Sequence, residues 1–146
     1  MRFHLIDRVD ACEPGKAVRA RKLVSRSEES LVGPADDPIM PAPLVLEALC
    51  QAGTWLIMIT TERKQRAALL SIGTVEFLGD ARPGDIIILE GNVESWGDEV
   101  AVISGQATVD GTPILTASEI MCILIDANDL ADPDETARLQ QLFTRA

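Results

Sequence analysis

The chain contains no tyrosine, and aromatic residues make up only 3% of its 146 positions. Any core it builds is therefore aliphatic. Basic residues are few: 13 Lys and Arg stand against 23 Asp and Glu, a net charge of −10. That balance argues against nucleic acid as a partner, because neutralising phosphates needs clustered cations. Histidine occurs once, as His4, and cysteine three times, as Cys12, Cys50 and Cys122. The cysteines form no CxxC or Cys/His cluster, so no metal site is expected. No glycine-rich phosphate loop or GxGxxG opens a helix, so no nucleotide or flavin cofactor is expected either. The start carries no signal-peptide pattern, and the thiols read as reduced core residues of a cytoplasmic protein. No repeat or low-complexity tract is present.

What the chain does have is 47% apolar residues, enough to exclude a disordered chain, and a length that suits one domain over 1–146. Its most apolar stretch runs from Pro43 to Thr61 and carries one carboxylate, Glu47, with Gln51 four residues on. With those two polar groups the run stops short of a convincing membrane span. Pro43 suits a first helical turn, where its missing N–H would be unpaired anyway. Leu44, Val45, Leu46, Ala48, Leu49, Ala52 and Trp55–Met58 then cover most of a helix surface, which predicts a buried helix. Before it, Glu13-Pro-Gly-Lys16 is a turn, and 17–25 alternates with a period of two, a strand with one basic face. Residues 1–12 are short and mixed, and 27–37 form a polar loop. After the helix come four strand-like runs at 67–78, 85–95, 99–109 and 112–125. Asp110-Gly111 between the last two fits a type I′ hairpin. Residues 132–144 suggest a C-terminal amphipathic helix. One strand, a buried helix and a meander of four strands make an α+β pattern. A helix apolar on all sides needs a curved antiparallel sheet around it, the arrangement of the hot-dog fold.

Several short motifs carry a resemblance. They are Ile6-Asp-Arg-Val9, Glu13-Pro-Gly-Lys16, Pro38-Ile-Met-Pro41, Leu46-Glu-Ala-Leu-Cys-Gln51 with Gly53, Val75-Glu-Phe77, Pro83-Gly-Asp85 and Ala107-Thr-Val-Asp-Gly111. Together, over about residues 2–125, the chain resembles the β-hydroxyacyl-ACP (acyl-carrier-protein) dehydratases of the FabA/FabZ type, most closely the FabZ branch. Residues 126–146 form an extension beyond the resemblance. The resemblance implies a (3R)-hydroxyacyl-ACP dehydratase in fatty-acid or polyketide biosynthesis, and active sites at a dimer interface. It implies no cofactor, and an acyl-phosphopantetheine substrate presented by an acyl-carrier protein. Glu47 matches the family's catalytic carboxylate and Gln51 the Gln one turn on, which makes both candidate catalytic residues. Met40, Pro41, Ala42, Gly53, Thr54 and Phe77 match positions around the substrate, with Gly53 and Thr54 where a helix N–H polarises the thioester carbonyl.

One departure is chemical. The family loop reads Gly-His-Phe-Pro before its Pro-x-Met-Pro element; here it reads Gly33-Pro-Ala-Asp-Asp-Pro-Ile-Met-Pro41. The catalytic His is missing, Pro34 stands nearest its place, the loop is one residue shorter, and Ala42 replaces the Gly after Met-Pro. Dehydration needs a base for the α-proton and an acid for the leaving hydroxyl. A half-buried Glu47 with a raised pKa suits the acid; read blandly, it is a first-turn Glu favoured by the helix dipole. Three accounts of the base follow. A His-bearing paralogue supplies it in a heterodimer; or Asp36, Asp37 or His4 replaces it within a homodimer; or dehydration is lost, and the protein binds acyl chains as a scaffold or hydrolyses thioesters. Two basic stretches, Arg19/Arg21/Lys22/Arg26 and Arg63/Lys64/Arg66, read either as carrier-protein docking patches or as solvated surface.

Overall fold

Strand-like runs give six strands, and one long, mainly apolar stretch gives the helix they enclose. The computed structural model describes residues 3–129 and 132–145. Residues 2, 130, 131 and 146, parts of the expected motif span and C-terminal extension, lie outside the described residues. In chain order the elements are β1 (Arg8–Glu13), β2 (Ala17–Leu23), α1 (Ala42–Thr60), β3 (Gln65–Phe77), β4 (Ile86–Trp96), β5 (Val100–Val109), β6 (Thr112–Asp126), a 3-10 turn (Ala127–Asp129) and α2 (Pro133–Thr144).

All six strands form one antiparallel sheet in the order β1-β2-β4-β5-β6-β3. The expected four-strand meander is thus only three strands long, β4-β5-β6. β3 leaves α1 and crosses to the far edge, where it pairs with β6 from Gln65↔Asp126 to Phe77↔Leu115. The lead-in is a two-strand hairpin, β1–β2, rather than one strand. Turn chemistry sets the joints. Asp110 and Gly111 both take positive φ, 50° and 79°, as a type I′ turn requires. Lys16 N–H closes the first turn on Glu13 O at 2.9 Å.

α1 fills the hollow of the sheet. Pro43 lies in its first turn. Ala48, Ala52, Leu56 and Ile57 have no exposed surface, and each fully buried Leu or Ile contributes about 1.5–3 kcal/mol. By length and composition α1 would in fact pass for a membrane span; half of that window is buried inside the fold. It is the core helix of a wrapped sheet. Cover is uneven along it: Gly53 and Trp55–Met58 are buried, while Pro43 and Glu47 are exposed and Leu44, Leu46, Cys50 and Gln51 half-buried. The helix is therefore not sealed on all sides by its own chain. Glycines let it approach the sheet. A Cβ on Gly105 would stand 2.5 Å from Glu90 O and 3.0 Å from a Leu49 methyl. α2 packs against the β1 side of the fold, with Asp132 as N-cap accepting from Asp134 N–H at 3.0 Å.

Candidate functional site

Glu47 stands in the second turn of α1, so the first-turn dipole reading does not apply. Nor is it half-buried among Leu and Val as expected: its side chain is exposed, because the sheet covers another side of the helix. Gln51, one turn on, donates from Nε2 to Glu47 Oε1 at 3.0 Å. The same amide reaches the N-terminal segment, with Nε2 donating to Phe3 O at 3.0 Å and Oε1 accepting from Leu5 N–H at 2.9 Å. Glu47 is thus held by a side chain that is itself held at two further points.

Beside this pair lies an apolar cleft between α1 and the sheet. Leu49, Cys50, Gly53 and Thr54 line it from the helix; Leu69, Gly91, Ile103, Ile120 and Cys122 are among its residues from the strands. About 30 Å³ of it is free. Ile103 closes it, its Cδ1 3.4 Å from where a Gly53 Cβ would stand and its Cγ2 3.6 Å from that of Gly91. Burial pushes the Cys50 thiol up to about 11, with the charges of Glu47 and Cys122 adding to the rise. The carboxylate therefore stands close enough to the cleft wall to be felt there. Sequence reasoning missed Cys50 as a wall residue. The signal was its spacing, since Glu47, Cys50 and Thr54 follow i, i+3, i+7 on one helix face.

The other expected residues separate. Met40 is core, with 1% exposure, and its N–H bonds Ala81 O at 2.9 Å. Gly53 and Thr54 lie inside α1, where each N–H is committed to the carbonyl four residues back. They are cleft wall, not carbonyl donors. Leu44 N–H goes to Pro41 O at 2.9 Å and Pro43 has no N–H, so the first-turn donor that the helix does not use is Ala42 N–H. It stands five residues before Glu47, about 7.5 Å along the axis. Phe77 is exposed at the end of edge strand β3, opposite Leu115, and outside the cleft lining.

No candidate for the missing base is drawn to Glu47. Asp37 is paired with Arg82 at 2.7 Å, and that guanidinium holds its carboxyl below the usual range; Asp36 is exposed. The His4 ring meets Phe143 edge-on at 5.7 Å. The basic stretches are also partly occupied. Arg19 pairs with Glu90 at 3.2 Å, Arg21 with Asp10 at 2.7 Å, and buried Lys22 with Glu28 at 2.9 Å. Arg63 donates to Gln140 and Arg66 to Thr136, both at 3.0 Å, tying α2 to the end of α1. Arg26 and Lys64, the remaining members, are exposed. Trp55 is core, and Trp96 packs against the core.

Comparison with known proteins bears on this geometry. The FabA-like domain matches residues 1–118. The 3-hydroxyacyl-[acyl-carrier-protein] dehydratase FabZ of Latilactobacillus sakei is 35% identical over 115 residues, 77% of this chain and 82% of that one. The protein of the same name from Nitratiruptor is 33% identical over 132 residues, 85% and 88% of the two chains. Among solved structures, the dehydratase heterocomplex ApeI:P from Xenorhabdus doucetiae aligns with a TM-score of 0.65 at 18% identity, over 92% of this chain and 88% of that one. The protein smu.793 from Streptococcus mutans, bound to acetyl CoA, aligns with a TM-score of 0.69 at 16% identity, over 86% and 93%. At those identities the structures speak for the hot-dog fold alone. The family match and the dehydratase relatives decide the rest: the chain belongs to the FabA-like family, the hot-dog dehydratases of the FabA/FabZ type.

Proposed function

We propose that the chain is the Glu47-bearing subunit of a FabZ-like 3-hydroxyacyl-ACP dehydratase, working in the cytoplasm in fatty-acid or polyketide-type synthesis. The observation that carries this reading is a carboxylate beside an apolar cleft, in a chain of this family, with no imidazole brought to it. The cleft takes the start of the acyl chain. Ala42 N–H polarises the thioester carbonyl and so acidifies the α-carbon. A base removes the α-proton, the C2–C3 double bond forms, and the C3–O bond breaks. Glu47, protonated, gives its proton to the leaving hydroxyl, and water departs. The proton balance needs both groups, and this chain supplies the acid.

The base comes from a partner subunit. The side of α1 that carries exposed Pro43 and Glu47, and the edge at β3, with Leu69, Leu70, Phe77 and the following Leu78 all more than half exposed, are the surfaces such a partner covers. A His-bearing paralogue fits better than a second copy, because His4 is engaged with Phe143 and Asp37 with Arg82. A heterocomplex of dehydratase-type chains exists among proteins of this fold. The same missing His supports a second reading, a subunit that holds an acyl chain without catalysis.

Turnover of a 3-hydroxyacyl-ACP decides between them. Dehydration is expected only when the chain is mixed with a His-bearing paralogue, and Glu47→Gln in that mixture is expected to lower kcat by about 10²-fold or more. Full activity of Glu47→Gln would overturn the assignment. Turnover by the purified chain alone would overturn the heterodimer, and no turnover in any combination would leave the acyl-holding reading standing.

A further inference from the structure

We propose that the C-terminal helix α2 is a clamp that fixes the catalytic carboxylate, acting through the N-terminal strap 3–5 and Gln51. This rests on the role given to Glu47 above. α2 lies beyond residues 1–118, the part that the FabA-like domain matches.

An exposed Glu side chain samples several rotamers, and ordering one costs conformational entropy. Glu47 is restrained by one group, the Gln51 amide. A primary amide can turn over and exchange its donor end for its acceptor end. Here the strap decides which way it faces. Leu5 N–H can only donate and so selects Oε1; Phe3 O can only accept and so selects Nε2. With both satisfied, the second N–H of Nε2 is left pointing at Glu47. The orientation of the carboxylate therefore follows from the position of residues 3–5.

Residues 3–5 are held from two sides, Leu5 by the core and His4 by α2. Phe143, 7% exposed, sets its ring edge-on to His4 at 5.7 Å and to Trp55 at 5.4 Å. Trp55 is one turn beyond Gln51 on α1, so Glu47, Gln51 and Trp55 form one i, i+4, i+8 row. α2 is anchored in turn by Arg63–Gln140 and Arg66–Thr136. The contacts run without a gap from Phe143 to His4, along the strap to Gln51, and on to Glu47. Within this chain Gln51 is a positioning residue, with both N–H donors already spent.

Two measurements test the clamp. The Leu5 amide donates to Gln51, so its hydrogen exchange reports that contact directly. Phe143→Ala is expected to speed it at least tenfold while amides in β5 keep their rates; an unchanged Leu5 rate overturns the link. The second is a double-mutant cycle in kcat, on the assembly that carries the activity, at equal folded fraction and well below Tm. Phe143→Ala is expected to lower kcat fivefold or more with KM within twofold, and to lower it less than twofold in a Gln51→Ala background. Phe143→Leu is expected to restore most of the loss. A variant that lowers only Tm, or effects of Phe143→Ala and Gln51→Ala that multiply, overturns the proposal. If Phe143→Ala does not fold, His4→Ala, a surface change, replaces it with the same expected outcomes. Glu47→Gln run alongside separates the two claims. An inactive Glu47→Gln with multiplying effects overturns the clamp alone; a fully active one overturns the assigned function and the clamp with it.

Discussion

At the scale of single residues, placement decides chemistry more than type does. Cys50 and Glu47 are three apart on α1, yet one is a cleft-wall thiol pushed up to about 11 and the other an exposed carboxylate. The Cys50 shift sets two expectations. From the ordinary 9.0 to about 11 is two pH units, so the thiolate fraction at pH 8 falls about 100-fold, and alkylation by iodoacetamide is expected to slow by that order against a free thiol. Mass spectrometry of the Cys50 peptide checks this, and Glu47→Gln is expected to speed the reaction, since the Glu47 charge is part of the rise. The sign for stability follows from the raised value. Between pH 9 and 11 the unfolded chain loses this proton and the folded one keeps it, so stability falls as pH rises through that window and is unaffected by this group below it. The site motif Leu46–Gln51 was legible because it is contiguous. That Gln51 also holds Phe3 and Leu5, 48 and 46 positions away, was not. No local pattern encodes a pairing of that range.

At the scale of elements, the seat of α1 on the sheet depends on absent side chains. Gly91 and Gly105 are register partners on β4 and β5, beneath the helix. Gly105→Ala puts a methyl against Glu90 O and Leu49 in a region with no slack. It is expected to destabilise the fold by about 3 kcal/mol, the upper end for overpacking. Urea unfolding measures it, and a change below about 0.5 kcal/mol would mean that α1 moves freely on the sheet. The alternation of β2 was readable in the sequence, including which residues share a face. Lys22 on the apolar face then looks anomalous. It is buried, with Glu28 at 2.9 Å and Leu23 O as partners, and Glu28 comes from a loop whose path no periodicity describes. Strand type was legible for β3 as well, but its place at the sheet edge was not. A period of two says that a segment is extended and is silent on its neighbours.

At the scale of the whole molecule, the uncovered surfaces call for a partner. β3 is a 13-residue edge strand with Leu69 and Leu70 adjacent and both more than half exposed, so neither face is satisfied within the chain. Such an edge pairs or aggregates unless blocked. Leu70→Lys is expected to convert the associated form to monomer in size-exclusion chromatography with light scattering, without loss of circular dichroism; an unchanged mass would place the interface elsewhere. The sequence by itself determined the helix, the extended segments, the type I′ turn, the family and the missing imidazole, because each is written in residues close together along the chain. Only the tertiary structure decided that Glu47 is exposed, that Asp37 and His4 are engaged elsewhere, and that β3 lies at the far edge. It alone brings Phe143, His4 and Gln51 into one row leading to Glu47. Those outcomes depend on which surfaces pack first and tightest, and that competition is settled across the whole fold rather than within any segment of it.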